Sequence, residues 1–171
     1  MKIIHLPRAV LALTGGLYIT FSQSHAAVVG LAIFALFTLL SALSFVAVER
    51  KQKPKRLLAT ALVSVIAAVM SVVAMIQSLG DDSDFARLLF VMLVAGWALI
   101  TGAIELYLAS REGFSGRSGR DYLISAIFSL ALGGLFLIAS PDVVSAVGFF
   151  GAYLILLGVH WGIASAGDGK K

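Results

Sequence analysis

The sequence contains no cysteine, only three prolines and few charged residues, with 13% of its 171 positions occupied by Asp, Glu, Lys or Arg. Without cysteine, the chain has no disulfide, no thiol nucleophile and no thiolate ligand for a metal. Apolar residues make up 60% of the chain, and its mean hydropathy of +1.00 is far above that of soluble proteins. We therefore expect an integral membrane protein with no room for a soluble catalytic or nucleotide-binding domain.

Long hydrophobic runs make up most of the chain. Five of them carry almost no charge, and each is close to the ~20 residues that cross a bilayer as a helix. A sixth, more broken run lies near the N-terminus. The pattern predicts an all-α polytopic protein with six transmembrane helices in one transmembrane domain, residues 1–171. The five clear runs are residues 26–48, 57–79, 88–110, 122–139 and 143–166.

The distribution of charge predicts the topology. When the loops are assigned alternately to two sides of a membrane, twelve of the thirteen basic residues fall on one side, and the other side holds Arg87 and four aspartates. Short cytoplasmic loops carry the excess of Lys and Arg. We therefore expect both termini to be cytoplasmic, in a bacterial inner membrane. An alternative is that a cleavable signal peptide ends near Ser24-His25-Ala26, because a basic start and an apolar stretch precede these small residues.

Internal repeats divide the chain into three predicted helical hairpins. Gly15-Gly16 in the first helix matches Gly133-Gly134 in the fifth, and Ala67-Ala68 takes the corresponding place in the third. In the second helix, Ser44 takes the place of Glu105 in the fourth. We expect each hairpin to be tight. The predicted units are residues 1–50, 51–112 and 113–171.

Small residues are predicted to hold the helices together. Lipid tails are as apolar as leucine, so helices associate in a membrane through close approach of their backbones. Stripes of small residues in the fourth and sixth helices should face the bundle interior or an oligomer partner. The stripe of the fourth helix is Ala95, Ala98, Gly102, Glu105 and Ala109, and that of the sixth is Gly148, Gly151, Gly158, Gly162 and Ser165. Four large residues of the fourth helix should point away, namely Trp97, Ile104, Tyr107 and Leu108. Lining of a pore is the alternative role for the glycines. The candidate packing glycines are Gly15, Gly16, Gly102, Gly133, Gly134, Gly148, Gly151, Gly158 and Gly162.

The paired glycines, the Ser140-Pro141 turn and the G-x-x-E sequence that ends at Glu105 together resemble the HdeD-like family of bacterial acid-resistance membrane proteins. The resemblance implies a six-helix inner-membrane protein linked to stress or acid tolerance, with no established enzymatic activity. It covers most of the chain, and the first hairpin departs from it by lacking a proline in its outer turn. The residues that carry it best are Gly102, Glu105, Gly133, Gly134, Pro141, Gly151 and Gly158.

Glu105 is the one ionisable residue clearly inside a predicted span. A carboxylate is costly in lipid, so Glu105 should be protonated, paired or in contact with water. Three roles remain open: a proton or cation relay, a contact in an oligomer, or a structural group bound by hydroxyls or by an arginine such as Arg8. His160 should project away from the glycine stripe of the sixth helix, and we do not expect it to be the partner of Glu105.

A basic segment between the second and third helices is a candidate site for anionic lipid headgroups, although its charges also serve to orient the chain. Its cations are Arg50, Lys51, Lys53, Lys55 and Arg56. The three histidines are too far apart in the predicted topology to bind one metal ion. We expect no metal, no cofactor and no nucleic-acid partner.

The leading functional hypothesis is a non-catalytic membrane protein of the stress or acid-resistance type, which acts through helix packing or as a small subunit of a membrane assembly. Its expected partners are the lipid bilayer and either copies of itself or a larger complex. One alternative is a small transporter or channel that uses Glu105 in its pathway. Another is an accessory subunit of a membrane enzyme complex. An enzyme in its own right is not expected, because only Glu105 supplies an ionisable group within the bilayer.

Overall fold

The structure is a computed structural model that describes residues 2–22, 24–49, 58–78 and 84–167. This described part is helical throughout, with short turns and no strand, which confirms the predicted all-α class. The helices are α1 (Lys2–Phe21), α2 (Ala27–Glu49), α3 (Leu58–Ser78), α4 (Asp84–Glu112), α5 (Arg117–Ala139) and α6 (Val143–Gly167).

Five of the helices, α2 to α6, are long and apolar enough to cross a membrane, and α1 adds a shorter apolar stretch, Leu6–Phe21. A helix satisfies its own backbone hydrogen bonds, which is the condition for crossing lipid. Large apolar side chains such as Phe21 and Ile138 are exposed on the outer surface, where lipid would cover them. The chain is a multi-pass membrane protein whose helices contact the bilayer.

The six helices form a closed ring. Each helix packs against its neighbours in the chain, α6 closes the ring against α1, and α2 contacts both α4 and α6 near the centre. The most extensive contacts join α4 to α5, α1 to α6 and α2 to α3. All three seams lie between different predicted hairpins, and the α1–α6 seam joins the first to the third. The helices within the first and third hairpins, α1 with α2 and α5 with α6, are in less extensive contact, although their turns are as short as expected.

Glycine explains why two of the seams between hairpins are so close. A Cβ at Gly133 would lie 2.6 Å from Leu99 Cγ across the α4–α5 seam, and a Cβ at Gly158 would lie 2.9 Å from the backbone nitrogen of Leu13 across the α1–α6 seam. Both positions therefore require glycine if the backbones are to stay at this distance. This is the expected means of association between helices that share an apolar solvent.

Corresponding positions on α2, α4 and α6 meet at the centre in layers. Phe34 contacts both Trp97 and Phe150 edge to face, with ring centroids 5.5 and 5.7 Å apart, and Trp97 contacts Tyr153 in the same way at 6.3 Å. Edge-to-face contact is a favourable arrangement for aromatic rings. Buried residues recur at the same spacing along all three helices, and matching them by this spacing aligns four sets: Phe34 with Val94 and Phe150, Phe37 with Trp97 and Tyr153, Ser41 with Thr101 and Leu157, and Phe45 with Glu105 and Trp161.

The layers correct two expectations. Trp97 and Leu108 were expected to point outward, but both are buried, because the inward face of α4 is wide enough to include large side chains beside the small ones. Tyr107 is exposed and Ile104 is half-buried. The residue of α2 that shares a layer with Glu105 is Phe45, one position beyond Ser44. The division of the chain into three hairpin repeats itself stays a prediction.

Candidate functional site

Arg8 and Glu105 form an ion pair in the interior of the bundle. Arg8 Nη2 lies 3.6 Å from Glu105 Oε1, and each residue is only 5% exposed. Arg8 is on α1, next to Pro7, and Glu105 is on α4, so the pair connects two helices that lie on different sides of the ring. A charge in this environment is stable only when it is paired, and here each residue supplies the counter-charge of the other.

Two aromatic rings complete the surroundings of the Arg8 guanidinium. Its Cζ atom lies 3.6 Å from the centroid of a Trp161 ring and 4.3 Å from that of Phe45. The face of an aromatic ring attracts a cation, and tryptophan does so most strongly. We call Phe45, Glu105 and Trp161 the inner cage. Each of the three central helices α2, α4 and α6 contributes one of its members.

Hydrogen bonds to serines fix the aromatic side chains around the centre. Trp161 Nε1 donates to Ser125 Oγ at 2.9 Å, and Trp97 Nε1 donates to Ser64 Oγ at 3.3 Å. Tyr153 Oη lies 3.0 Å from Ser129 Oγ. A buried indole N–H or phenol without a partner would destabilise the fold, so these serines set the orientation of the rings. Ser125 on α5 therefore fixes the orientation of the Trp161 ring in the inner cage.

Three buried polar atoms at this end of the bundle have no hydrogen-bond partner among the described residues, namely Arg8 Nε, Ser41 Oγ and Thr60 Oγ1. An unpaired buried polar atom costs roughly 1–3 kcal/mol, so this region is less fully satisfied than the serine–aromatic pairs. Arg8 in particular interacts with the inner cage mainly through its ion pair with Glu105 and through contact with the two ring faces.

The sequence predicted part of this arrangement. Glu105 was singled out, and an arginine such as Arg8 was considered as its partner, which the ion pair confirms. His160 does not pair with Glu105: its Nε2 lies 3.0 Å from the backbone oxygen of Asp121, and its ring meets Phe128 edge to face. Phe45 and Trp161 were missed. An alignment of the second, fourth and sixth helices that matches Phe45 and Trp161 with Glu105 would have identified both. The three side chains are chemically different, so the sequence itself does not suggest this match.

The candidate packing glycines fall into two groups. Neighbouring helices lie within 3.4 Å of a Cβ placed at any of six positions, namely Gly15, Gly16, Gly102, Gly133, Gly151 and Gly158. At the other three, Gly134, Gly148 and Gly162, a Cβ would meet nothing within 4 Å in the described part of the chain, so they do not pack against a helix of the bundle, and contact with an oligomer partner stays a prediction for them. These three project away from the neighbouring helices, since they lie off the face that each helix presents to its seam.

The remaining candidates do not form a second site within the described ranges. The lipid headgroup candidates Arg50, Lys51, Lys53, Lys55 and Arg56 lie outside the described residues. No group of three or more His, Cys, Asp or Glu that would hold a metal ion occurs in the part of the chain that the structure describes.

The opposite end of the bundle is tied by polar contacts at the α5–α6 turn. Arg87 Nη1 donates to the backbone oxygen of Pro141 at 3.1 Å, and Arg87 Nε lies 3.5 Å from Asp84 Oδ1. Asp142 caps α6: its Oδ1 accepts from the backbone N–H groups of Val144 and Ser145. The Ser145 hydroxyl, which donates to Asp142 Oδ2, and these N–H groups lower the pKa of Asp142 below its usual range.

Comparisons with known proteins give no relative for this chain. No protein-family model matches it, and neither does any curated protein or any solved structure.

Proposed function

We propose that this chain is a non-catalytic membrane protein of the stress or acid-resistance type, located in a bacterial cytoplasmic membrane with both termini inside. It acts through the packing of its helices or as a small subunit of a membrane assembly. The class comes from the resemblance to HdeD-like proteins that the sequence carries. The geometry supports the structural part of the proposal, a role in packing rather than in transport.

The observation that carries the proposal is the filled centre of the bundle. Aromatic and aliphatic side chains occupy successive layers between α2, α4 and α6, and several are almost completely buried, among them Phe34, Phe150, Leu157 and Trp161. A conducting pathway needs polar groups or a wettable passage along the axis. Close packing of rings on the axis favours a structural role for the bundle over a channel.

The environment of Glu105 supports the same role. A relay carboxylate must exchange protons with water or with another titratable group. Glu105 instead pairs with Arg8, and its side chain is 7% exposed. A carboxylate that neutralises a buried arginine stabilises the interior and holds α1 in the ring, which favours the structural interpretation of Glu105 over the transporter alternative.

The test for transport uses proteoliposomes with a pH-sensitive dye inside. We expect no proton flux above that of protein-free vesicles when a pH gradient is applied, and an added protonophore verifies that the vesicles are sealed. A flux that depends on pH and is lost in Glu105→Gln would overturn the proposal in favour of a transporter. Glu112→Gln, which changes an exposed glutamate at the end of the same helix, is the matched control.

Two further measurements test the assembly and the stress role. Mass measurement of the complex in mild detergent should give an oligomer or a stoichiometric companion, since outward-facing glycines such as Gly148 and Gly162 leave room for close approach of another helix. A monomer alone contradicts the assembly. Deletion of the gene should lower survival after acid exposure, with recovery when the chain is restored. Unchanged survival contradicts the acid-resistance role.

A further inference from the structure

The inner cage has the composition of a binding site for an organic cation. It offers two aromatic faces and one carboxylate around a buried space, the combination that recognises guanidinium and quaternary ammonium groups. Its three residues come from α2, α4 and α6: α2 packs against the other two, and α4 and α6 meet through rings such as Trp97 and Tyr153. The group that fills it is the guanidinium of Arg8, which lies on a different helix, α1. Arg8 therefore occupies the cage in the way that a tethered ligand does.

The arginine side chain is held by charge and ring contact more than by hydrogen bonding. Arg8 Nε has no partner, and the closest approach to Glu105 is 3.6 Å, longer than a strong charge-assisted hydrogen bond. Pro7 precedes Arg8 inside α1, and a proline removes one backbone hydrogen bond from the helix. The turn that carries Arg8 thus lacks one backbone hydrogen bond, in the helix with the shortest apolar stretch of the six.

A lateral groove runs beside this turn, between α1 and α2. It has a volume of about 690 Å³, and its walls include Leu6, Pro7 and Val10 on α1 and Leu43, Ser44 and Ala47 on α2. A second groove of about 480 Å³ continues along the same two helices and shares Leu11 with the first. Pro7 and Ser44 directly precede Arg8 and Phe45. The walls are almost wholly apolar, so the groove fits an alkyl chain and the cage fits its charged end.

We infer that the chain binds amphiphilic organic cations, with the cationic head in the inner cage in place of the Arg8 guanidinium and the apolar tail in the α1–α2 groove. The carboxylate of Glu105 excludes an anionic head, because two negative charges would meet in a buried site. The seam between α1 and α2 is among the less extensive contacts of the ring, which allows a ligand to enter from the lipid. This assigns a ligand class that the proposed function does not include.

The test measures binding of radiolabelled octylguanidinium to the full chain in nanodiscs of zwitterionic lipid. Arg8→Ala should bind it saturably and at least about 10-fold more tightly than the wild type, because the tethered competitor is gone. Arg8→Ala/Glu105→Gln, which lacks both charges, should bind no more than empty nanodiscs. Arg87→Ala removes an arginine at the other end of the bundle and should match the wild type.

The tail is tested separately. In the Arg8→Ala background, Ala47→Trp places a large side chain in the groove and should weaken binding of octylguanidinium while leaving that of methylguanidinium unchanged. If the two ligands are weakened equally, the tail does not lie in the groove.

Two results would overturn the inference. One is a folded Arg8→Ala protein that binds octylguanidinium no better than the wild type, and the other is binding that persists unchanged in Arg8→Ala/Glu105→Gln. If Arg8→Ala fails to assemble, methylguanidinium added during solubilisation should restore the elution profile of the wild type. Failure of that rescue also counts against the cage as a cation site.

Discussion

Replacing one partner of the Arg8–Glu105 pair should destabilise the bundle far more than replacing both with apolar residues. Loss of one partner from a buried ion pair costs about 3–5 kcal/mol, whereas replacement of both by apolar residues of similar volume is often neutral or stabilising. Neither side chain has access to water beyond 7% of its surface, so the remaining charge cannot be solvated in place. We therefore expect Glu105→Gln to lower the free energy of unfolding by about 3 kcal/mol or more.

The companion variants separate the charge from the packing. Glu105→Gln keeps the Trp161 and Phe45 contacts with the guanidinium, which contribute up to about 2 kcal/mol each when desolvated. Arg8→Met loses these contacts along with the charge but fills the space with an adaptable side chain. The double variant Arg8→Met/Glu105→Leu has no buried charge and should be more stable than either single variant.

The two single variants should also differ in their response to pH. A glutamate can neutralise itself by binding a proton, but a guanidinium stays charged. Folded Arg8→Met therefore holds more protons than its unfolded chain, and its stability should rise as the pH is lowered. Glu105→Gln should show no such recovery. The assay is unfolding in mixed detergent micelles, followed by circular dichroism between neutral and mildly acidic pH.

A double variant that is less stable than both single variants would refute this prediction, because the pair would then contribute more than its burial costs. Unfolding of Glu105→Gln at the same denaturant fraction as Glu112→Gln, the exposed control on the same helix, would refute it as well.

Three further predictions concern packing, capping and topology. Gly158→Ala should cost about 1–3 kcal/mol because its Cβ would crowd the α1 backbone, whereas Gly96→Ala on α4, in open space, should not destabilise the fold; equal losses would contradict the seam. The pKa of Asp142 is lowered in the folded chain, so its ionised carboxylate stabilises the fold above the unfolded pKa of about 3.9, and this stabilisation is lost as the pH falls through the folded pKa. Asp142→Asn should still cap α6 but without this dependence on pH. An acid unfolding profile identical to that of the wild type would contradict the capping. In this cysteine-free chain, single cysteines at Ser115 and Ser24 should be labelled from opposite sides of the membrane, Ser115 from the cytoplasm; labelling of both from one side would refute the topology.

Hydrophobic length and charge were sufficient to predict the all-α class and the approximate positions of the helices. The boundaries shifted where charged residues continue a helix beyond the apolar run: α4 extends over Asp84–Glu112, although its predicted span was 88–110. Hydropathy detects the segment that lies in lipid, whereas the helix itself continues as long as its backbone hydrogen bonds do. The capped α5–α6 turn was predictable, because Pro141 cannot extend α5.

The inner cage was only half predictable. A charged residue inside a span is conspicuous, so both Glu105 and its arginine partner were within reach of the sequence. The aromatic members were hidden because apolar residues surround them on every helix, and inward and outward faces look alike when both core and lipid are apolar. That is also why Trp97 was assigned to the wrong face, and why the glycines that pack within the bundle could not be told apart from those that do not.

The closure of the ring by its first and last helices bears on how the protein is made. α1 leaves the ribosome before the other five helices, yet the helix against which it packs most extensively, α6, follows all of them, and both Glu105 and Trp161 come long after Arg8. Until then the arginine lacks its counter-charge and the nearer of its two rings, which makes early burial of α1 in lipid unfavourable. Chains arrested before α6 should accordingly leave α1 exposed to protease or to aqueous reagents, and it should become protected once α6 has been inserted.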